Sequence, residues 1–100
     1  MPHLICYDIS SDTLRAKTGR KILEFGLDRI NKSVYLGTIT DSSLTQLEAL
    51  LSGLIQQKGE PHDSLIILPV TAQQVQDMRV HGENGLDRDE LTGDKSTLIV

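Results

Sequence analysis

One hundred residues make one small domain, because independent cores are usually spread over roughly 100 to 200 residues each, and a second core is excluded. Hydrophobic residues are 38% of the chain and only Tyr7, Phe25 and Tyr35 are aromatic, so the core is aliphatic and thin and would gain from dimerisation. Ten Lys and Arg against fourteen Asp and Glu give a net charge of -4, which argues against histone-like binding of nucleic acid by bulk charge.

The run from His3 to Ile9 is short and rich in strand formers, and Ser10-Ser11-Asp12 ends it, so a strand running into a helix cap is expected. Leu4, Cys6 and Asp8 then face one side of the strand, and Ile5, Tyr7 and Ile9 the other. Cys6 has no partner for an internal disulfide, which predicts a reducing compartment. The opening MPHLICYDISSD lacks the basic start and apolar length of a signal peptide, and no run approaches the ~20 residues that span a bilayer. A cytoplasmic protein with no membrane segment is the expectation.

From Asp12 to Phe25, Leu14, Thr18, Ile22 and Phe25 recur at helical spacing, with Gly26 as the stop. Residues 28–39 read as a short edge strand, a tight connection at Asn31-Lys32-Ser33 and a longer strand; one bent strand is the alternative. Thr40-Asp41-Ser42-Ser43 caps a second helix whose apolar face is Leu44, Leu47, Leu51, Leu54 and Ile55, with Leu50 beside it, ending at Lys58-Gly59. Ser64 to Val70 is a buried strand ended at Pro69, and Met78 to His81 is predicted as a last short strand.

Strand, helix, two strands, helix, strand is the pattern of an α+β, ferredoxin-like βαββαβ sandwich. It occupies residues 1–82, followed by an acidic, mobile tail over 83–100. The terminal Leu98-Ile99-Val100 suggests an extra strand over 96–100 that pairs with a neighbouring sheet edge, or else a disordered end.

There is no Gly-rich phosphate loop, no zinc-spaced Cys/His cluster and no GxSxG elbow, and His3, His62 and His81 are scattered. Asp8 stands out, because a carboxylate closing a hydrophobic row must be paired, solvated or bound to a metal. Between Leu14 and Lys32, six basic residues (Arg15, Lys17, Arg20, Lys21, Arg29, Lys32) oppose Glu24 and Asp28, so this segment is +4 and the rest of the chain is -8. A phosphodiester substrate needs an acidic metal site beside cations that hold its backbone, although a basic helix face is often only a solvated one.

Two strings, Tyr7-Asp8-Ile9-Ser10-Ser11-Asp12 with Arg15 three positions on, and Gly26-Leu27-Asp28-Arg29-Ile30-Asn31-Lys32-Ser33-Val34-Tyr35-Leu36-Gly37, resemble the CRISPR-associated protein 2 family. The likeness extends from Leu4 to about His81 and includes LIILPV. Asn31-Lys32 stands where Gln-Tyr or a similar pair is usual in the family, and Tyr35 replaces Phe. The resemblance implies a homodimer in which Asp8 meets its symmetry mate and serves as catalytic residue and ligand of a shared Mg2+ (or Mn2+). It implies an endonuclease on RNA or double-stranded DNA, a scaffold for the CRISPR integrase in spacer acquisition, or both. Arg15 and Arg29 would be phosphate clamps, Lys17, Arg20 and Lys21 an electrostatic track, Lys32 a further nucleic-acid-binding residue, and Tyr35 a base-stacking or packing residue. From the residues alone, a non-catalytic DNA-binding subunit and a ferredoxin-like small-molecule regulator stay open.

Overall fold

The computed structural model describes residues 1–82 and 88–93. It opens with β1 (Pro2–Asp8), α1 (Asp12–Glu24), β2 (Asp28–Asn31), β3 (Val34–Thr38), α2 (Asp41–Lys58) and β4 (Ser64–Pro69). This is the expected βαββαβ order, and residues 28–39 form two strands. The sheet is antiparallel in the order β2-β3-β1-β4, with β1 central: Ile5 pairs with Tyr35 on one side and Ile67 on the other.

The strand pleat divides the residues between two faces. On the inner face Ile5 and Tyr35 meet Ile22 of α1, Leu47 and Leu51 of α2, and Leu27 and Ile39 from the connections, forming the main core. Helix entry is set by hydroxyl caps: Ser11 accepts from the Leu14 N–H, and Thr40 from the Ser43 N–H. Gly26, at φ +93, turns the chain out of α1, a conformation open to glycine at no steric cost.

The chain departs from expectation after β4. Residues 78–81, expected as a strand, form none; instead Ala72–Asp77 is a short helix, α3. Thr71 and Gln74 explain this by closing a reciprocal capping box, each side chain bonding the other's backbone N–H. Val75 is buried and Met78 packs with it, whereas Val80 stays exposed, so the alternation of Met78 to His81 follows no ladder. Within the expected tail, Arg88–Thr92 is a further short helix, α4. Val75 and Leu91 cover Leu36 on the outer face of the sheet, with Leu4 and Ile30 against them. Residues 83–87 and 94–100, including the expected pairing strand 96–100, lie outside the described residues.

The outer face is covered only in part, and β4, expected as a buried strand, is an edge strand with none of its residues buried. Ile66 and Leu68 of β4 remain 56% and 50% exposed, and their ladder partners on β1 are Cys6 and Leu4.

Candidate nucleic-acid interface

Three pieces of chain meet at the carboxyl end of β1. The strand and the residue after it deliver Tyr7, Asp8 and Ile9; α1 presents one stripe, Asp12, Arg15, Ala16, Gly19, Arg20 and Leu23; β2 and the turn after it add Arg29, Lys32 and Ser33. Between them lies an open cleft of about 670 Å³ floored by Tyr7 and Tyr35. The helical period explains the stripe, since positions three and four apart share a face. It places Arg15 and Arg20 in one wall.

The cleft cations Arg15, Arg20, Arg29 and Lys32 face two carboxylates, Asp8 and Asp12. Arg15 is already engaged, donating to the Ile9 carbonyl at 3.0 Å and pairing with Asp12. It therefore braces the junction between β1 and α1 while keeping further N–H donors for an anion. Among the described residues, Arg20, Arg29 and Lys32 show no side-chain ion pair, which leaves them better able to take a phosphate. Lys17 and Lys21 lie outside the cleft wall, and Lys21 pairs with Glu24 at 3.4 Å.

Asp8 is exposed, and its side chain accepts no hydrogen bond among the described residues. It stands on the same outer face as Cys6 and Leu4, as its strand position requires, with Ser64 opposite on β4. Within one chain no group of three or more His, Cys, Asp or Glu capable of holding a metal occurs among the described residues. A single carboxylate is a poor site for a divalent cation, which usually takes one or two carboxylates plus waters and phosphate; a second carboxylate would have to come from another copy.

Tyr35 is only 4% exposed and stacks on Tyr7 with ring centroids 5.9 Å apart, so neither face of its ring is open to a base. Its hydroxyl meets that of Tyr7 at 3.2 Å. Tyr7 is pushed up to about 12, first by burial and then by its hydroxyl partner Tyr35, against weaker downward pulls from Ser33 and Arg29. Ser33 adopts φ +124, a strained conformation for a residue with a side chain, and its carbonyl accepts from the Tyr7 N–H at 3.1 Å. Ser33 follows β2, whose register shifts between Arg29 and Asn31, and its bond to Tyr7 ties the turn to the end of β1.

Sequence reasoning passed over a second anchor. Asp63 accepts from the backbone N–H of Glu60 at 2.9 Å and of Ser10 at 3.0 Å, and from the Ser10 hydroxyl at 3.1 Å. The Glu60 N–H bond is the main reason its carboxyl lies below the usual carboxylate range. His62 Nε2 lies 2.9 Å from the same Ser10 oxygen. The loop after Asp8 is thus tied to the turn before β4. A carboxylate four residues after the Gly59 helix stop was the only local signal. His3, by contrast, is buried and bonds the Met1 carbonyl.

An antiparallel four-stranded sheet with two helices on one face and a cationic cleft at the end of β1 defines a ferredoxin-like α+β domain. The family model described as CRISPR associated protein Cas2 matches residues 1–78, and the chain belongs to that family. A CRISPR-associated endoribonuclease Cas2 of Korarchaeum cryptofilum is 30% identical over 82% of this chain and 82% of its own length. One from Archaeoglobus fulgidus is 29% identical over 70% of this chain and 71% of its own. Among solved structures, a hypothetical protein from Thermus thermophilus superposes with TM-score 0.69 at 27% identity, over 85% of this chain and 94% of that one. Streptococcus pyogenes Cas2 gives the same TM-score at 17% identity, over 82% of this chain and all of that one, and supports the fold alone. No described helix is long and apolar enough to cross a membrane.

Proposed function

We propose that this chain acts in CRISPR spacer acquisition as a homodimer that grips RNA or double-stranded DNA and cleaves a phosphodiester bond beside a pair of Asp8 carboxylates. The carrying observation is the exposed Asp8, without a side-chain partner among the described residues, at the rim of a cleft lined by Arg20, Arg29 and Lys32. The names of the archaeal relatives support the hydrolytic reading. A second copy is the proposed occupant of the outer sheet face, because Asp8 shares that face with the exposed Ile66 and Leu68 and a two-fold axis there brings two carboxylates together.

Asp8 of both copies would hold a Mg2+ or Mn2+ ion, which when bound polarises a phosphoryl oxygen and lowers the pKa of a water. Arg29 and Arg20 hold the backbone through paired N–H donors, and Lys32 adds a point charge. Arg15 keeps the strand-helix junction closed around Asp8. In the purified protein, Asp8→Ala should abolish magnesium-dependent cleavage; activity that is equal in chelator, or that survives the substitution, contradicts the hydrolytic reading.

A scaffold role for the CRISPR integrase is the second reading, favoured by the incompletely covered outer face and the cationic cleft, neither of which requires catalysis. Salt-sensitive duplex binding that persists in Asp8→Ala, with no cleavage by the parent, would select it.

A further inference from the structure

Gly19 lies inside α1, where glycine is the poorest helix former after proline, and its φ is not positive. Its bareness has a spatial reason. A Cβ at this position would stand 2.5 Å from the Tyr35 hydroxyl oxygen and 3.1 Å from that of Tyr7. The Tyr7 hydroxyl also lies 3.5 Å from the carbonyl of Arg15, so the Tyr7–Tyr35 hydroxyl pair sits directly against α1. The sheet therefore touches the helix through this hydroxyl pair at the turn bounded by Arg15 and Arg20. On the opposite wall Tyr35 is the ladder partner of Arg29, so the same tyrosine is fixed relative to both sets of cations.

We propose, resting on the nucleic-acid reading of the cleft, that Gly19 is a positioning residue. Its bare Cα lets α1 seat on the Tyr7–Tyr35 hydroxyl pair, and that contact sets the spacing between Arg15 and Arg20 on one wall and Arg29 and Lys32 on the other. Cationic contacts to a sugar-phosphate backbone depend on this spacing, because the phosphates are held at intervals that a displaced helix no longer matches.

The test compares the parent with Gly19→Ala, Tyr35→Phe and the double variant. Melting temperature is measured, together with affinity for a short RNA and a DNA duplex at fixed salt and a temperature where every variant is folded. With Tyr35 present, Gly19→Ala should lower the melting temperature and weaken binding by about tenfold. In the Tyr35→Phe background the 2.5 Å contact is gone, leaving ring carbon Cζ at 3.5 Å from the new Cβ and the Tyr7 hydroxyl at 3.1 Å, a milder contact that a few tenths of an ångström relieve. There the same change should lower the melting temperature far less than it does with Tyr35 present, the helix propensity of alanine offsetting the remaining contact, and leave affinity within about twofold of Tyr35→Phe. Affinity equal to the parent's in Gly19→Ala, or an equal loss in both backgrounds, overturns the proposal. If Gly19→Ala does not fold, the double variant must fold and bind; its failure to do so is equally fatal. A parent that binds neither nucleic acid overturns the cleft reading and the positioning role with it, whereas a thermal loss confined to the Tyr35 background would still locate the contact.

Discussion

Tyr7 and Asp8 are consecutive, and the pleat sends one into a buried hydroxyl pair and the other to the outer surface. Tyr7→Phe should cost about 1 kcal/mol, the usual worth of a hydrogen bond, measured by denaturant unfolding near neutral pH. Because the phenol is pushed up to about 12 in the fold against 10.0 in its ordinary state, its contribution is complete below about pH 10 and is lost as the pH rises toward 12. Asp63 has the opposite sign. Its carboxyl is held low, chiefly by the Glu60 N–H, so Asp63→Asn should lower the melting temperature at neutral pH, and the gap should close as acid takes the parent through that lowered value. Thr18 is fully buried and its hydroxyl has no hydrogen-bond partner among the described residues, so the near-isosteric Thr18→Val should leave stability unchanged or raise it by about 1 kcal/mol. Asp8 and the basic residues were legible in the sequence because strand alternation and local charge are short-range signals. Gly19 and Asp63 were not, because their partners lie far away in sequence: the Ser10–Asp63 bond spans 53 residues.

At the scale of elements, β1, α1, α2 and β4 could be read from periodicity and caps, since each carries an apolar pattern long enough to separate a period of two from one of 3.6. Helix α3 has only six residues, too few for a period to show, and its Thr71-x-x-Gln74 box was the available sign. Thr71→Ala should lower stability by about 1 kcal/mol, and the loss should appear as faster backbone amide exchange in α3. Leu47 is fully buried where α2 meets the main core, and Leu47→Ala should cost about 2–5 kcal/mol in thermal or denaturant unfolding, a large share of a small domain's stability. The clusters on the two sheet faces differ in extent, which is why a partly exposed outer face survives beside a filled inner one.

For the whole molecule, an acidic chain carries a local positive wall, and the fold sorts the cations that sequence grouped together. Replacing Arg20, Arg29 and Lys32 with Ala should weaken nucleic-acid binding and flatten its dependence on salt by about 0.9 per lost phosphate contact on duplex DNA, whereas Lys17→Ala with Lys21→Ala should change the slope less. The proposed two-fold assembly was legible only through the family resemblance, because an isologous interface is a property of a surface and not of a segment. Its most direct test is thiol cross-linking of Asp8→Cys in a Cys6→Ser background, under native conditions and with a short bifunctional reagent. Two copies that face each other at β1 should give a covalent dimer through residue 8 in high yield. A protein that stays monomeric, or a dimer that the reagent never joins at that position, contradicts the paired carboxylates.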